Sequence, residues 1–486
     1  MRGLRVNRHP DCGILGSFSS FPLKSISFSK MESSETMPDA LKADHLCVLI
    51  HGLWGNPSHL DYIASALRDR YGGDDLYILC PKTNSGNYTY DGIELGGERI
   101  VHEVEETLES LAERGQKITK ISVIGYSLGG LLARYAIGLL NARGWLDKLE
   151  PMNFTTFATP HVGVRAPLKG YKDQIFNVLG PRTISASGRQ MWLIDSFRDT
   201  GRPLLGVLAD PESIFITGLK KFRQRSVYAN IVNDRSVLFY TSGLSKVDPF
   251  QDLEDVNINY VKGYEDVIID PDLHVLPLVE RKHGSATARF WKKIKSVTLW
   301  IPLSLLLIIL VPLASTFFLI NAGIQTCRSS KRIRLHEVGK NGERFGRYRV
   351  PVLLQGAQHV VEQAFENVNT IQEPAYLSNS DTEVSDAAPE KSRSSFSKSA
   401  QNDADVESSS ARRSSTEVSA HSPKLALTHE QFGIIDSLNA VGIRRYPVHI
   451  QKHYHSHAAI IVRDEKDGFR EGKIVMKHWL DNEFVL

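Results

Sequence analysis

Residues 123–130 read VIGYSLGG, and the placing of small residues around Ser127 in this stretch decides the fold. The preceding KISVIG (120–125) is an apolar run of strand length, while LLARYAIGLL (131–140) repeats apolar residues at helical spacing. A strand that turns directly into a helix leaves room only for small side chains two positions before and two after the residue at the bend. Gly125 and Gly129 stand there. The bend projects the Ser127 hydroxyl at the carboxyl edge of a sheet. The positive end of the helix dipole behind it favours negative charge developing on a reacting acyl group. Ser127 is the candidate nucleophile.

The segments on either side continue the strand–helix alternation that builds a parallel sheet covered by helices. HLCVLI (45–50) predicts a strand, followed by a helix capped by Ser58 with Leu60, Ile63 and Leu67 at three- and four-residue spacing. LYILC (76–80) predicts a strand, 93–114 a helix ended by Gly115, FTTFA (154–158) a strand and SVYANIV (226–232) another. Near the C-terminus Thr428 and Gln431 form a capping-box pattern ahead of an apolar helix closed by Gly442, and RRYPVHIQ (444–451) reads as the last strand. The strand–G-x-S-x-G–helix context assigns the α/β-hydrolase fold, a mostly parallel sheet flanked by helices. The stretch 159–225 is long for a connection and holds MWLIDSF (191–197), so it is read as a lid-like insert over the site.

A serine nucleophile needs a base, an acid that orients the base, and an oxyanion hole. For the hole, the sequence offers the N–H of Leu128, just after the nucleophile, and that of Leu53 in the turn His51-Gly52-Leu53-Trp54-Gly55 after the first strand. His51 lies on that turn and is read as structural. The acid should follow a late strand, which points to Asp234 at the end of SVYANIVND, with Asp248 and Asp195 as alternatives. The base should lie beyond the last strand. His457 in KHYHSHAAII is the first choice, ahead of His455 and of His478 in a terminal helix. The order Ser, Asp, His is that of α/β-hydrolases. His453, His455 and His457 cluster without a carboxylate or cysteine at ligand spacing, so neither a metal nor any other cofactor is expected.

Charge is nearly balanced, with 58 Lys and Arg against 55 Asp and Glu, and no basic patch calls for nucleic acid. Four scattered cysteines suit a reducing compartment. The extension 1–40 is basic and Ser-rich in its first thirty residues. It reads as a disordered leader, as sequence upstream of a working start at Met31, or as a transit-type peptide. The hydrolase core is expected over 41–275 and resumes over 425–486 with the base. Between them lie a membrane-associated segment with basic flanks (276–340), a connecting region (341–377) and a Ser-rich, disordered insert (378–424). Arg412-Arg413-Ser414-Ser415 in that insert reads as a kinase site at Ser414 or Ser415.

The 32 residues 296–327 carry no charge. As one helix they would extend about 48 Å, against a hydrocarbon core of roughly 30 Å. Pro302 and Pro312 interrupt the run, and Lys and Arg crowd both flanks. Both ends are therefore placed on the cytosolic side, by a hairpin or by shallow insertion. The triad demands the same, since Asp234 precedes the run and His457 follows it.

The stretches VLIHGLWGNPSHL (48–60), NSGNYTYDGIELGGERI (84–100), VIGYSLGGLLARYAIG (123–138), FATPHVGV (157–164), YANIVNDRSV (228–237) and SHAAIIVR (456–463) together resemble a fungal family of putative serine esterases that includes lipid-droplet lipases of yeasts. The resemblance implies an α/β-hydrolase that cleaves acyl esters of lipids, glycerophospholipid or monoacylglycerol, while the uncharged run returning to the cytosolic side fits a lipid droplet or endoplasmic reticulum membrane with the catalytic domain in the cytosol. It also supports Asp234 and His457 by position. The extension 1–40 and the Ser-rich insert have no counterpart in it. Two other readings stand beside the lipase: a carboxylesterase or thioesterase for a soluble or protein-linked acyl substrate, and an inactive hydrolase-fold scaffold.

Overall fold

A computed structural model describes residues 43–72, 75–165, 177–178, 180–250, 253, 256–276, 316, 319–336 and 425–486. The extension 1–40, the connecting region 341–377, the Ser-rich insert with Ser414 and Ser415, and most of the uncharged run lie outside these residues.

Six strands form one parallel sheet: β1 (His45–Ile50), β2 (Leu76–Leu79), β3 (Lys120–Tyr126), β4 (Glu150–Phe157), β5 (Gln224–Asn230) and β8 (Arg444–Val448). A two-stranded antiparallel ribbon, β6 (Asn257–Ile258) with β7 (Val275–Leu276), stands apart. The order in the main sheet is β2-β1-β3-β4-β5-β8. The chain leaves β1 toward β2 on one side, then returns past β1 to continue from β3 in the other direction. The connections after β1 and β3 therefore diverge, and a crevice opens at the carboxyl ends of these two neighbours. Topology alone places the site there, between the turn that bears Leu53 and the bend that bears Ser127.

Strand residues alternate between two cores. Leu46, Val48, Ile50, Ile121, Val123 and Phe154 pack on the face covered by α2 (Ile93–Glu113) and α3 (Leu128–Ala142). Cys47, Leu49, Ile124, Tyr126 and Phe157 pack on the opposite face, under α1 (Asp61–Tyr71) and the terminal helix Arg470–Asn482. Both faces of a parallel sheet must be covered, which is why its strands read as continuous apolar runs. Trp479 of the terminal helix is fully buried, stands edge-on to Phe157 with ring centres 5.6 Å apart, and donates from Nε1 to Thr155 Oγ1 at 3.0 Å. That contact pins the C-terminal part of the chain to the centre of the sheet.

Several boundaries differ from the sequence reading, among them the end of the last strand, which stops at Val448. The cap before the first helix is Asn56, whose side chain accepts from Ser58 N at 2.9 Å, and a 3-10 turn (Pro57–Leu60) precedes α1. Pro57 fits the first turn because its missing N–H would have no partner there. The fourth strand starts at Glu150, earlier than expected, because parallel pairing with Lys120 and Ile121 draws in residues of weak strand preference. The fifth likewise starts at Gln224, paired with Asn153. Thr428 and Gln431 form the capping box of the helix His429–Asn439.

The end of the uncharged run is visible as part of a helix over 319–336. Ala322, Gln325 and Ser329 of this helix are buried, while Leu319, Ile320 and Ile324 are exposed. Among the described residues, no helix is long and apolar enough to cross a membrane.

Candidate active site

Ser127 occupies the bend between β3 and α3 with φ 54° and ψ −128°. That left-handed region is uncommon for a residue with a side chain, and it is held only where the surroundings fix it. The close packing is visible at the flanking glycines. A Cβ on Gly125 would lie 2.4 Å from Gly130 Cα, and one on Gly129 would lie 2.2 Å from Ile50 O. The strain aims the hydroxyl outward. Ser127 Oγ lies 3.0 Å from His457 Nε2, and His457 Nδ1 lies 2.9 Å from Asp234 Oδ2.

The acid loop and the base loop are tied to one another. Ser456 Oγ donates to Val232 O at 2.8 Å, and Asn233 Nδ2 donates to Ile450 O at 3.1 Å. From the nucleophile's own strand, Tyr126 OH donates to His457 O at 3.0 Å, with the two rings 5.1 Å apart. A base at the tip of a mobile loop would be poorly placed, and these bonds fix it. The terminal helix backs the arrangement so closely that a Cβ on Gly472 would meet Ala459 O at 1.9 Å.

Asp234 is buried, and its carboxylate accepts from Ser236 N (3.0 Å), Val237 N (2.8 Å) and Asn230 Nδ2 (2.9 Å) as well as facing His457. An acceptor-only carboxylate opposite Nδ1 selects the tautomer that carries its proton on Nδ1. Nε2 is then left as the acceptor for the serine proton, which is the protonation pattern a general base needs.

The alternatives from the sequence stand elsewhere. Asp195 Oδ2 accepts from Leu204 N at 2.9 Å, and Asp248 Oδ1 accepts from Phe250 N at 3.0 Å, both as turn or helix-start residues. His478 Nδ1 pairs with Tyr228 OH at 2.8 Å, and burial lowers its pKa to about 4. His455 lies two residues from His457, with its N–H donating to His453 Nδ1 at 3.1 Å. His51 is buried with Nδ1 3.0 Å from Gly52 O, and burial lowers its pKa to about 4, so it is neutral near pH 7.

Leu53 and Leu128 line one pocket with Ser127 and His457. Gly52 lets the oxyanion turn approach the nucleophile: a Cβ there would lie 2.7 Å from Ser127 Cβ. The remaining wall is mostly apolar, with Trp54, Val237 and, from the insert 159–225, Val164, Ile184, Met191 and Trp192, while Ser236 adds a polar group. Sequence reasoning missed two contributors, Asn230 on the acid and Tyr126 on the base. Tyr126 stands just before the candidate nucleophile in the G-x-S-x-G stretch, and its hydroxyl gave no signal of its reach to His457 O.

Residues 40–246 match the model of a family described as putative serine esterase (DUF676). "Putative lipase ROG1" of Saccharomyces cerevisiae is 33% identical over 215 residues, which is 43% of this chain and 29% of that protein. "Putative lipase C4A8.10" of Schizosaccharomyces pombe is 28% identical over 42% of this chain and 26% of its own length. "Putative lipase YDL109C" of Saccharomyces cerevisiae is 28% identical over 44% and 32%. The match thus spans less than a third of each relative. Over 40–246 the family resemblance read from the motifs holds, and these relatives carry the name putative lipase. The stretch bearing His457 lies outside the matched residues. Among solved structures, a RedJ thioesterase of Streptomyces coelicolor is 20% identical at a TM-score of 0.21, covering 31% of this chain and 55% of that one. A lipase-esterase related protein of Clostridium acetobutylicum is 13% identical at 0.22, covering 41% and 80%. The fold assignment rests on the chain's own sheet order and nucleophile bend, not on these two likenesses.

Proposed function

We propose that the protein is a serine lipase that hydrolyses acyl esters of lipids, a glycerophospholipid or monoacylglycerol, at a membrane or lipid-droplet surface. The observation that carries this reading is the hydrogen-bonded line Ser127–His457–Asp234 opening into an apolar pocket.

The chemistry follows from the geometry. Ser127 Oγ attacks the acyl carbonyl while His457 Nε2 takes its proton. Asp234 holds the imidazole and offsets the positive charge it gains. The N–H groups of Leu53 and Leu128 receive the oxyanion, each such donor contributing about 3 kcal/mol to the barrier difference. His457 then protonates the departing alcohol, and water releases the acyl group by the reverse sequence. An acyl chain finds apolar walls at Ile184, Met191 and Trp192, which supports a lid role for the insert that supplies them.

Surface action is supported by the uncharged run and by where its neighbours sit. Val275 packs in the hydrolase body before the run, and Ser329 bonds to Tyr90 after it. Described residues on both flanks of the run thus contact the hydrolase body. Contacts on both flanks support a hairpin or a shallow insertion, which suits a lipid droplet or the endoplasmic reticulum with the site facing the cytosol.

The test is a lipid-class profile of the products released by purified full-length protein, with Ser127→Ala as control. Free fatty acid from phospholipid or monoacylglycerol dispersions, absent in the control, is the expected result. Turnover of short soluble esters or thioesters with no release from any lipid would replace the lipase by the soluble-substrate hydrolase.

A further inference from the structure

The helix 319–336 ends the uncharged run and docks on a segment that has no part in the triad. Ser329 Oγ donates to Tyr90 O at 3.3 Å. Arg332 sets its fork on Asp91, with Nε 3.0 Å from Oδ1 and 2.8 Å from Oδ2, and Nη2 also donates to Asn87 O at 3.1 Å. The Asp91 side chain is wholly enclosed, and it receives a second guanidinium, that of Arg99 in α2, at 2.7 Å. Arg99 keeps Asp91 paired inside the hydrolase body, so the fold does not need Arg332 to neutralise a buried carboxylate. Arg332 reaches Asp91 from the helix that follows the uncharged run.

Residues 86–91 lead directly to the oxyanion turn. Gly86 N donates to Gly55 O at 2.8 Å, Trp54 N donates to Thr89 Oγ1 at 3.1 Å, and Trp54 Nε1 donates to Tyr90 OH at 2.8 Å. Trp54 is held at φ 55°, a conformation a bulky residue adopts only when its neighbours impose it. It adjoins Leu53, whose N–H is assigned to the oxyanion. The same segment also anchors the insert, since Ser187 Oγ donates to Thr89 O at 2.5 Å.

We propose that Arg332 is a positioning residue: by clamping Asn87 and Asp91 it fixes the strained Trp54 and thereby the oxyanion turn, coupling the uncharged run to the catalytic geometry. The inference rests on the hydrolase reading above. It makes the seating of helix 319–336 a condition of full rate, and not merely a fastening of the chain. A displacement of this turn by a fraction of an ångström falls first on oxyanion stabilisation, because hydrogen bonds depend on direction and distance more steeply than the non-directional contacts of Trp54 with an acyl chain do. The loss therefore falls on kcat and spares KM.

The experiment uses full-length wild type, Arg332→Ala and Arg332→Lys. Active sites are counted by end-point fluorophosphonate titration, and kcat and KM are measured on p-nitrophenyl butyrate. For Arg332→Ala the expectation is an unchanged count of active sites, a kcat per site lower by about tenfold and a KM within about twofold of wild type. Arg332→Lys keeps the charge but loses the fork, and should recover only part of the rate. A kcat per site within about twofold of wild type in Arg332→Ala, or a change confined to KM, overturns the proposal. If Arg332→Ala yields no soluble protein, Arg332→Lys decides: a kcat lowered with KM kept supports the clamp, and an unchanged kcat overturns it. Wild type that takes no label at all overturns the hydrolase reading itself, an outcome separate from failure of the clamp alone.

Discussion

His457 Nε2 stands 3.0 Å from Ser127 Oγ across 330 positions of the chain. Two features make that approach possible. The last strand pairs with β5, so its carboxyl end comes beside the acid loop, and the terminal helix then backs the base loop from below. The uncharged run and the Ser-rich insert both fall between Asp234 and His457, so they must leave the sheet and return without disturbing this edge.

Substitution should separate the two neighbouring histidines by function. His457→Ala should lower kcat by about a thousandfold, the contribution of a general base. His455→Ala, which leaves the line from Ser127 to Asp234 untouched, should keep kcat within about threefold. Steady-state rates on a soluble ester, corrected for active-site count, check both. The reverse ranking would move the base to His455.

Asp234→Asn keeps the shape of the acid but offers Nδ2–H to His457 Nδ1, which favours the wrong tautomer. The expected fall in kcat is on the order of ten-thousandfold, with KM little changed. Asp195→Asn and Asp248→Asn should retain most of the rate, because their carboxylates serve Leu204 N and Phe250 N. Loss of rate in either of these with retention in Asp234→Asn would reassign the acid.

Gly52→Ala tests the close approach of the oxyanion turn. The added Cβ would sit 2.7 Å from Ser127 Cβ, so the turn or the nucleophile must move. A fall of about a hundredfold in the fluorophosphonate labelling rate, with a cooperative melt retained, is the expected result. A variant that labels at the wild-type rate would show that Leu53 is not held against Ser127 in this way.

Stability should fall on mild acidification. His45, His51 and His478 are buried, and burial lowers each from the ordinary 6.5 to about 4. Their folded values lie below the unfolded value, so the unfolded chain binds more protons between these limits. The stabilisation is complete above about pH 6.5 and is lost as pH falls toward about 4, at up to about 1 kcal/mol per pH unit for each histidine. Thermal melts at pH 7 and pH 5 should differ by on the order of 10 °C. A melting point independent of pH over this interval would mean that these rings are hydrated in the folded state.

The parts of the site that the sequence disclosed are those that local geometry dictates. Gly125 and Gly129 are readable because the bend admits no side chain. Asp234 is readable because it follows an apolar strand, and His457 because it lies beyond the last strand and is followed by the small residues Ala458 and Ala459. The first cap was misread as Ser58 although Pro57 marks Asn56 as the cap, since proline is tolerated best at the first helical position. The pairing of Arg332 with Asp91 was not legible at all. It joins residues 241 apart, both of types that ordinarily face water, and no period or spacing in the chain connects them. Asn230 was hidden for a similar reason, because an amide at a strand end looks like any turn residue until the carboxylate folds back onto it.

The central claim is that Ser127 is an activated nucleophile driven by His457. Its most direct test is fluorophosphonate labelling of purified full-length protein, with the modified residue located by mass spectrometry of a proteolytic digest. One adduct is expected, on Ser127, absent in Ser127→Ala and formed about a thousandfold more slowly in His457→Ala. Labelling that persists undiminished in Ser127→Ala, or a wild-type protein that takes no label, would contradict it.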